Sequence, residues 1–225
     1  MIAICKLELD WLDMKVNVLK SSGIRVGPQF DATQCIINIG LDKIEWSAEI
    51  KYLGLFLVAG KRFACNLHSC KIKFFRALNA ILSKIGDMNA ITVILSIISS
   101  NCIPILMYGL EAMQLTKTQC NRLRYAYNSV FYKLFHSFND GIIMQTQYYT
   151  SFLNLECQID LRTINFLNKL RTYNVLYPAA HLFYVCGSHE WTDIATKYHI
   201  NYDDTATQCR SKIWSTFAHT IAALP

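Results

Sequence analysis

The stretch LDWLDMKVNVLKS, residues 9–21, passes within a few residues from a helical pattern to a turn that precedes a strand. Upstream and within it, Ile4, Leu7, Trp11 and Leu12 recur at spacings of three, four and one. This periodicity predicts an amphipathic helix over residues 2–16 with one apolar face. Ser, Thr, Asp or Asn usually caps the start of a helix, and none precedes this one.

Residues 22–58 change to the short β-rich runs of a small sheet. The runs are residues 23–28, 35–39, 43–46 and 50–58, and Gly, Pro and Asp separate them. We interpret residues 40–42, Gly-Leu-Asp, as a hairpin turn. The pattern predicts a small antiparallel sheet that leaves one face and one edge for other elements to cover.

From Leu67 onward the pattern is helical. The predicted helices span residues 67–85, 89–101, 105–113, 117–138 and 156–174. Asp87 and Thr116 are predicted caps, and Gly86 suits a helix end. Residues 180–225 carry no clear pattern. The predicted fold class is therefore α+β and predominantly α, with a small antiparallel sheet followed by a helical bundle.

The predicted helix at 67–85 has one apolar side and one cationic side. The cations Lys73, Arg76 and Lys84 lie opposite the apolar residues, which are Leu67, Phe74, Leu78, Ile81 and Ile85. Such a helix can pack on its apolar side and offer cations to phosphates, although an ordinary solvated face is the alternative. No acidic residue lies between Glu49 and Asp87, which favours phosphate binding. The basic tract comprises Lys51, Lys61, Arg62, Lys71, Lys73, Arg76 and Lys84.

Four motifs follow one another along the chain. They are Lys20-Ser21, Tyr52-Leu53-Gly54, FFRA at residues 74–77 and CIPILMYGLE at residues 102–111. In their order and spacing they resemble the end of the palm and the thumb of a non-LTR (LINE-type) retrotransposon reverse transcriptase. The resemblance covers residues 5–135.

The resemblance implies a domain organisation. Residues 1–60 would be the C-terminal part of the palm, residues 61–150 a thumb-like helical region, and residues 151–225 a helical extension of unknown role. The family's magnesium-binding aspartates precede the first helix, and that helix has no cap here. We therefore expect a fragment of an RNA-directed DNA polymerase that is inactive alone and binds no cofactor itself. Mg²⁺ belongs to the complete family enzyme.

The resemblance also implies a nucleic-acid-binding surface for a primer-template duplex. The primer grip and thumb residues would be Lys51, Tyr52, Leu53, Gly54, Lys73, Arg76 and Lys84. We interpret Gly54 as a strand glycine that lets a nucleic-acid backbone approach, with a β-bulge as the alternative. The other implied partner is the upstream part of the polymerase, and a nuclear or cytoplasmic location follows from the resemblance.

Lys20 matches the lysine that follows the palm helix in the family. A cation at that place would neutralise the departing pyrophosphate. The alternative is an exposed turn lysine, and we identify no catalytic residue apart from this candidate.

Asn201-Tyr202-Asp203-Asp204 is similar to the aromatic-x-Asp-Asp motif that holds two magnesium ions in polymerases. Here the aromatic residue is adjacent to the aspartates, and the motif follows the thumb. We therefore predict a solvated turn.

Two Cys/His fragments suggest zinc without completing a site. Cys65-x-x-His68-x-Cys70 and Cys186-x-x-His189 lack the paired spacings that bring four ligands together. We predict no metal site, and buried free cysteines instead.

The segment 117–138 carries an aromatic stripe at helical spacing. We predict that its core residues are Leu123, Tyr127, Val130, Phe131, Leu134 and Phe138. Stacking of Tyr125 or Tyr132 on bases is the alternative role for an aromatic side chain here.

The overall composition limits the partners, the cellular compartment and the membrane segments that fit this chain. The net charge of +6 favours anionic partners, and nine cysteines without a Cys-x-x-Cys pair favour a reducing compartment. Residues 88–110 carry no charge and are long enough to cross a bilayer. Polar residues interrupt them, so we predict a buried helix broken near residues 101–104 and expect no membrane partner.

Two alternatives to the polymerase fragment stay open. One is a decayed or domesticated non-catalytic helical interaction module. The other is a small membrane protein built around residues 88–110.

Overall fold

The computed structural model describes residues 2–31, 36–39, 42–85, 90–173 and 178–223. The chain divides into two compact units, residues 1–69 and 70–225. Small sheets characterise the first unit and helices the second, so the predicted class, α+β and predominantly α, is confirmed. The division into palm, thumb and extension stays a prediction.

The first helix, α1, spans Ile2–Trp11 and is shorter than the predicted 2–16. It ends because Asp13 adopts a left-handed conformation, with φ 53°. The Met14 N–H then donates to the Leu9 carbonyl at 2.9 Å, and the Asp13 N–H donates to Asp10 at 3.2 Å. These two bonds form a Schellman motif, which stops the helix at Trp11.

The apolar face predicted for α1 points to solvent. Ile4 is 63% exposed, Leu7 69% and Trp11 81%. Isolated apolar residues on a surface are ordinary, whereas several on one helix face form a patch. The face is therefore exposed in the structure of this chain.

The described residues of the first unit form two three-stranded sheets where one antiparallel sheet was predicted. In the first sheet β3 (Asp42–Trp46) lies between β1 (Ser22–Gly23) and β2 (Ile37–Ile39). β1 pairs with β3 in parallel, Ser22 opposite Glu45, and β2 pairs with β3 antiparallel. The purely antiparallel prediction was wrong here because sequence pattern does not determine strand direction. Gly40 and Leu41 of the predicted turn lie outside the described residues.

The second sheet is antiparallel throughout. Its strands, β4 (Glu49–Tyr52), β5 (Leu55–Val58) and β6 (Ala64–Cys65), lie in chain order. Residues 47–48, with a bend at Ala48, separate β3 from β4. The run predicted at 50–58 is therefore a hairpin of two strands.

Helices account for most of the second unit. They are α2 (His68–Ile85), which begins at the unit boundary, α3 (Ile91–Asn101), α4 (Ile103–Met107), α5 (Lys117–Phe135), α6 (Asp140–Tyr149), α7 (Leu155–Tyr173), α8 (Pro178–Tyr198) and α9 (Ala206–Ala222). A 3-10 turn, Leu110–Ala112, follows α4. The predicted cap at Thr116 is confirmed, because its side chain accepts from the Gln119 N–H in a capping box. Gly86 and Asp87 lie outside the described residues.

The predicted break in the uncharged segment is present. α3 ends at Asn101, and Pro104 lies in the first turn of α4. Among the described residues, one segment, Ile91–Ala112, is long and apolar enough to cross a membrane. An 18-residue stretch within it has a mean hydropathy of 1.9 and is 39% buried. A core helix meets the same criteria, so the absence of a membrane partner stays a prediction.

Buried side chains among the described residues of the helical unit form a core around α5 and a second group around α7, α8 and α9. Leu123, Tyr127, Val130 and Phe131 of α5 are fully buried, as predicted. Phe138 was also predicted to be buried but is 79% exposed, because α5 ends at Phe135. The second group includes Ile164, Leu167, Trp191, Tyr198, Cys209, Ile213 and Phe217.

Candidate nucleic-acid interface

Helix α2 presents three cations on one exposed face. Lys73, Arg76 and Lys84 are exposed, whereas Phe74 and Leu78 are completely buried. The spacing of 73, 76 and 84 places the three cations on the same side of a helix with 3.6 residues per turn. The side chain of Ile85 is not among those that the structure describes. The amphipathic character predicted for residues 67–85 is therefore present.

The three exposed cations of α2 have no acidic partner in the described part of the chain. The ion pairs seen there are Arg124–Glu156, Lys197–Asp160 and Lys212–Asp204, and none involves α2. Cations that already bind carboxylates are poorer phosphate ligands, because the carboxylate must first be displaced. The face formed by Lys73, Arg76 and Lys84 is free of that competition from described residues.

A fourth cation next to α2 comes from α5. The Lys133 Nζ donates to Asn79 Oδ1 of α2 at 2.6 Å, and both residues are exposed. The two residues are far apart in sequence, so no local pattern could have placed Lys133 beside α2. It extends the cationic surface that the sequence predicted. Lys71, which belongs to the basic tract, is by contrast half-buried.

Tyr52, Leu53 and Gly54 lie at the tip of the β4–β5 hairpin. Tyr52 pairs with Leu55 across the turn. Leu53 and Gly54 both have positive φ, 46° and 86°, as a type I′ turn requires at its two central positions. The placement of Gly54 inside a strand was wrong, because Gly54 lies in the turn, which itself requires a residue that tolerates positive φ. Contact of Gly54 with a nucleic-acid backbone stays a prediction.

The hairpin tip is exposed. Tyr52 is 61% and Leu53 72% exposed. Lys51 is exposed as well, and its Nζ lies 5.9 Å from the centre of the Phe56 ring, the residue opposite it on β5. A cation and an aromatic side chain therefore lie beside a tight turn.

The structure groups the predicted interface residues into two sets. Lys51, Tyr52, Leu53 and Gly54 share the hairpin of the first unit, and Lys73, Arg76 and Lys84 share α2 in the second. Within each unit, the predicted residues thus belong to one structural element.

Lys20 ends a short 3-10 turn, Val18–Lys20, in the first unit. Asn17 caps this turn, because its Oδ1 accepts from the Lys20 N–H at 3.2 Å. The Ser21 hydroxyl donates to the Asn17 carbonyl at 2.9 Å. The Asn-x-x-Lys-Ser sequence thus has a structural role in closing the turn, while a role for the exposed Lys20 side chain stays a prediction.

The Tyr202-Asp203-Asp204 segment forms a turn before α9. Asp204 Oδ2 accepts from the Asn201 N–H at 2.6 Å and from the Lys212 Nζ at 2.5 Å. The hydrogen bond from Lys212 holds the pKa of Asp204 below its usual range. The Tyr202 ring stacks on Trp191 with centres 3.9 Å apart. The predicted turn is therefore present, but the Asp204 side chain is bonded and only 11% exposed, so its carboxylate is not solvated as predicted.

The Cys65, His68 and Cys70 side chains differ in exposure. Cys65 is buried, Cys70 is half-buried and His68 is exposed. Burial raises the pKa of both thiols, which disfavours the thiolate that metals bind. Within the described ranges, no group of three or more His, Cys, Asp or Glu residues could hold a metal ion. The Cys186 side chain lies outside those ranges.

The chain was compared with known proteins at three levels. No family model, no curated protein and no solved structure matches it.

Proposed function

We propose that this chain contributes the primer grip and the thumb of a non-LTR retrotransposon reverse transcriptase, where it binds the primer-template duplex. The observation that carries the proposal is the exposed face of α2. Lys73, Arg76 and Lys84 lie there without a described carboxylate partner, and buried Phe74 and Leu78 fix the opposite side. A rigid helix that presents several cations at regular intervals suits the phosphates of a duplex backbone.

The hairpin tip supports the same proposal. Lys51 offers a cation, and Tyr52 and Leu53 offer exposed apolar surface beside a tight turn. A base or a sugar at the end of a primer can pack on such surface, because every base has a stacking face. This assignment gives Lys51, Tyr52, Leu53 and Gly54 the primer-grip role that the sequence motif implies.

Neutralising Lys51, Lys73, Arg76 and Lys84 with glutamine should weaken binding of a primer-template duplex. Between 50 and 200 mM salt, roughly, proteins that make several phosphate contacts lose orders of magnitude in affinity, so removing such contacts at fixed salt should cost about tenfold or more. Fluorescence anisotropy with a labelled RNA–DNA duplex measures the effect.

The matched control variant neutralises four cations that lie outside the proposed interface. Lys6, Lys117, Arg122 and Lys169 are exposed and belong to neither set. Their replacement by glutamine should weaken duplex binding much less. Equal loss in both variants would show that net charge, rather than the proposed surface, governs binding.

We expect that this chain alone does not extend a primer. Two-metal phosphoryl transfer needs neighbouring carboxylates that are free to bind Mg²⁺. Asp203 and Asp204 do not fit, because Asp204 is bonded to Lys212 and to the Asn201 N–H. A primer-extension assay with magnesium and all four nucleotides tests this expectation, and any templated product would contradict it.

A second candidate function, a protein interaction module, is favoured by the exposed face of α1. Ile4, Leu7 and Trp11 are apolar and mostly exposed on this helix. Apolar patches of this kind are typical of surfaces that bind other proteins. This alternative is favoured if none of the variants loses duplex binding and the chain associates stably with another protein.

A further inference from the structure

A cleft of about 260 Å³ opens on the surface of the helical unit. Residues from the α3–α4 junction, from the loop before α7, from α7 and from α9 form its walls. Its lining residues are Ser99, Ile103, Pro104, Ser151, Phe152, Leu153, Gln158, Leu161, Arg162 and Arg210. The lining shares no residue with the cationic face of α2 or with the β4–β5 hairpin, so the cleft needs its own explanation.

Two arginines line this cleft, Arg162 from α7 and Arg210 from α9. In the described part of the chain neither has a hydrogen-bond or ion-pair partner, although Arg162 is half-buried. Neighbouring cations are paired, Lys212 with Asp204 at 2.5 Å and Lys197 with Asp160 at 2.7 Å. The missing counter-charge is therefore a local property of the cleft.

Among the residues that the structure describes, no acidic side chain lines the cleft. Arg162 is half-buried and Arg210 is exposed. Partial burial of Arg162 without an anion is unfavourable, since its charged group loses water without gaining a partner. An anion bound to both arginines would reduce that cost. The composition of the walls thus selects for a negatively charged ligand.

The other polar walls add uncharged groups with fixed positions. Gln158 Nε2 donates to the Tyr127 hydroxyl at 2.7 Å and to the Leu153 carbonyl at 3.2 Å. Tyr127 in turn donates to Leu153 at 2.7 Å in the buried interior. Ser99 and Ser151 contribute hydroxyl groups at the exposed rim. A site whose walls are held by buried hydrogen bonds needs little rearrangement on binding.

We propose that this cleft binds a phosphate group. Arginine forks match the oxygens of phosphate in a bidentate manner, and serine hydroxyls donate to the same kind of acceptor. The volume is below the usual range for drug-sized ligands, about 300–1,000 Å³, and so suits a phosphate with a small attached group. The phosphate comes either from a free phosphate compound or from a nucleic-acid backbone.

Inorganic phosphate titrated into the full chain, followed by heteronuclear NMR, tests the proposal. We expect saturable shifts of amides in residues that line the cleft. Arg162→Gln and Arg210→Gln should each weaken phosphate binding by about tenfold, because a hydrogen bond to a charged group is worth roughly that factor or more. Arg210→Lys keeps the charge but loses the fork, and should give an intermediate affinity.

The control variant is Arg122→Gln, an exposed arginine of α5 that lies outside the lining. It should bind phosphate like the unchanged chain. A primer-template duplex then distinguishes the two sources. If the double variant Arg162→Gln/Arg210→Gln loses affinity for the duplex too, the phosphate belongs to nucleic acid; if it loses affinity for inorganic phosphate alone, the ligand is a free phosphate compound.

Two outcomes would overturn the proposal. One is phosphate shifts that do not saturate in the unchanged chain together with unchanged duplex binding by the double variant. The other is a correctly folded double variant, as judged by its circular dichroism, that binds both probes as tightly as the unchanged chain. The cleft test and the α2 test change different residues, so either proposal can fail while the other stands.

Discussion

Replacement of Phe131 by alanine should lower the free energy of unfolding of the helical unit by about 3–5 kcal/mol. Phe131 is completely buried in α5. Its ring meets Phe152 edge-on with centres 5.6 Å apart and lies 5.8 Å from Tyr127. Truncation removes these contacts and leaves a cavity that the close-packed surroundings cannot refill. Domains are stable by only about 5–15 kcal/mol, so this loss is a large fraction.

Phe138→Ala is the matched control, because the same residue type lies close by on the same segment. Phe138 is 79% exposed, and its described ring contact is Tyr132 at 5.2 Å. We expect a loss below about 1 kcal/mol, since exposed side chains contribute little. Urea unfolding followed by far-UV circular dichroism compares the two variants. If Phe131→Ala lowers the free energy of unfolding no more than Phe138→Ala does, the burial of Phe131 in the core is contradicted.

Replacement of Tyr127 by phenylalanine should cost about 1–3 kcal/mol. The Tyr127 hydroxyl is completely buried, donates to the Leu153 carbonyl at 2.7 Å and accepts from Gln158 at 2.7 Å. Phenylalanine fills the same volume, so the loss reports the hydroxyl and the buried polar groups that it leaves unpaired. Tyr125→Phe, at a position that is 65% exposed, should be nearly neutral.

The cost of Tyr127→Phe should shrink at alkaline pH. Burial raises the pKa of Tyr127 in the folded chain, whereas an unfolded tyrosine ionises near pH 10. The contribution of Tyr127 is thus complete below about pH 10 and falls as pH rises toward the folded pKa, by about 1.4 kcal/mol per pH unit. Urea unfolding of both chains at neutral and alkaline pH measures the difference. A cost that grows with pH would contradict the buried hydroxyl network.

Strongly amphipathic, well-capped helices were predictable from the sequence. α2 begins within one residue of the predicted start because Phe74 and Leu78 recur on one side and Lys73 and Arg76 on the other. Thr116 and Gln119 form a capping box, a local signal that needs no tertiary contact. The cationic surface on α2 was predictable for the same reason.

Other features depend on contacts that are distant in sequence. β1 and β3 pair in parallel although twenty-odd residues separate them, and a strand's own pattern does not specify its neighbour. Helix α6 was missed, and α8 and α9 lie in the region that showed no clear pattern. The α9 start does carry a local signal, since Thr205 and Gln208 form a second capping box.

Helix ends and turns explain the remaining corrections. The periodicity that predicted helix to residue 138 continues past the left-handed residue His136, whose φ is 52°, so Phe138 was assigned to the core. Gly54 was placed in a strand because the run of residues 50–58 gives no signal for the turn that divides it into β4 and β5. Lys133 and the Arg162–Arg210 cleft had no sequence signal, since tertiary packing alone brings those residues together.

The salt dependence of duplex binding tests the central claim most directly. For each phosphate contact that is lost, the slope of log K against log salt concentration should fall by about 0.9. The variant with glutamine at Lys51, Lys73, Arg76 and Lys84 should therefore show a slope shallower by about 2–4 than the unchanged chain. A variant that binds a primer-template duplex with the slope of the unchanged chain would contradict the proposed interface.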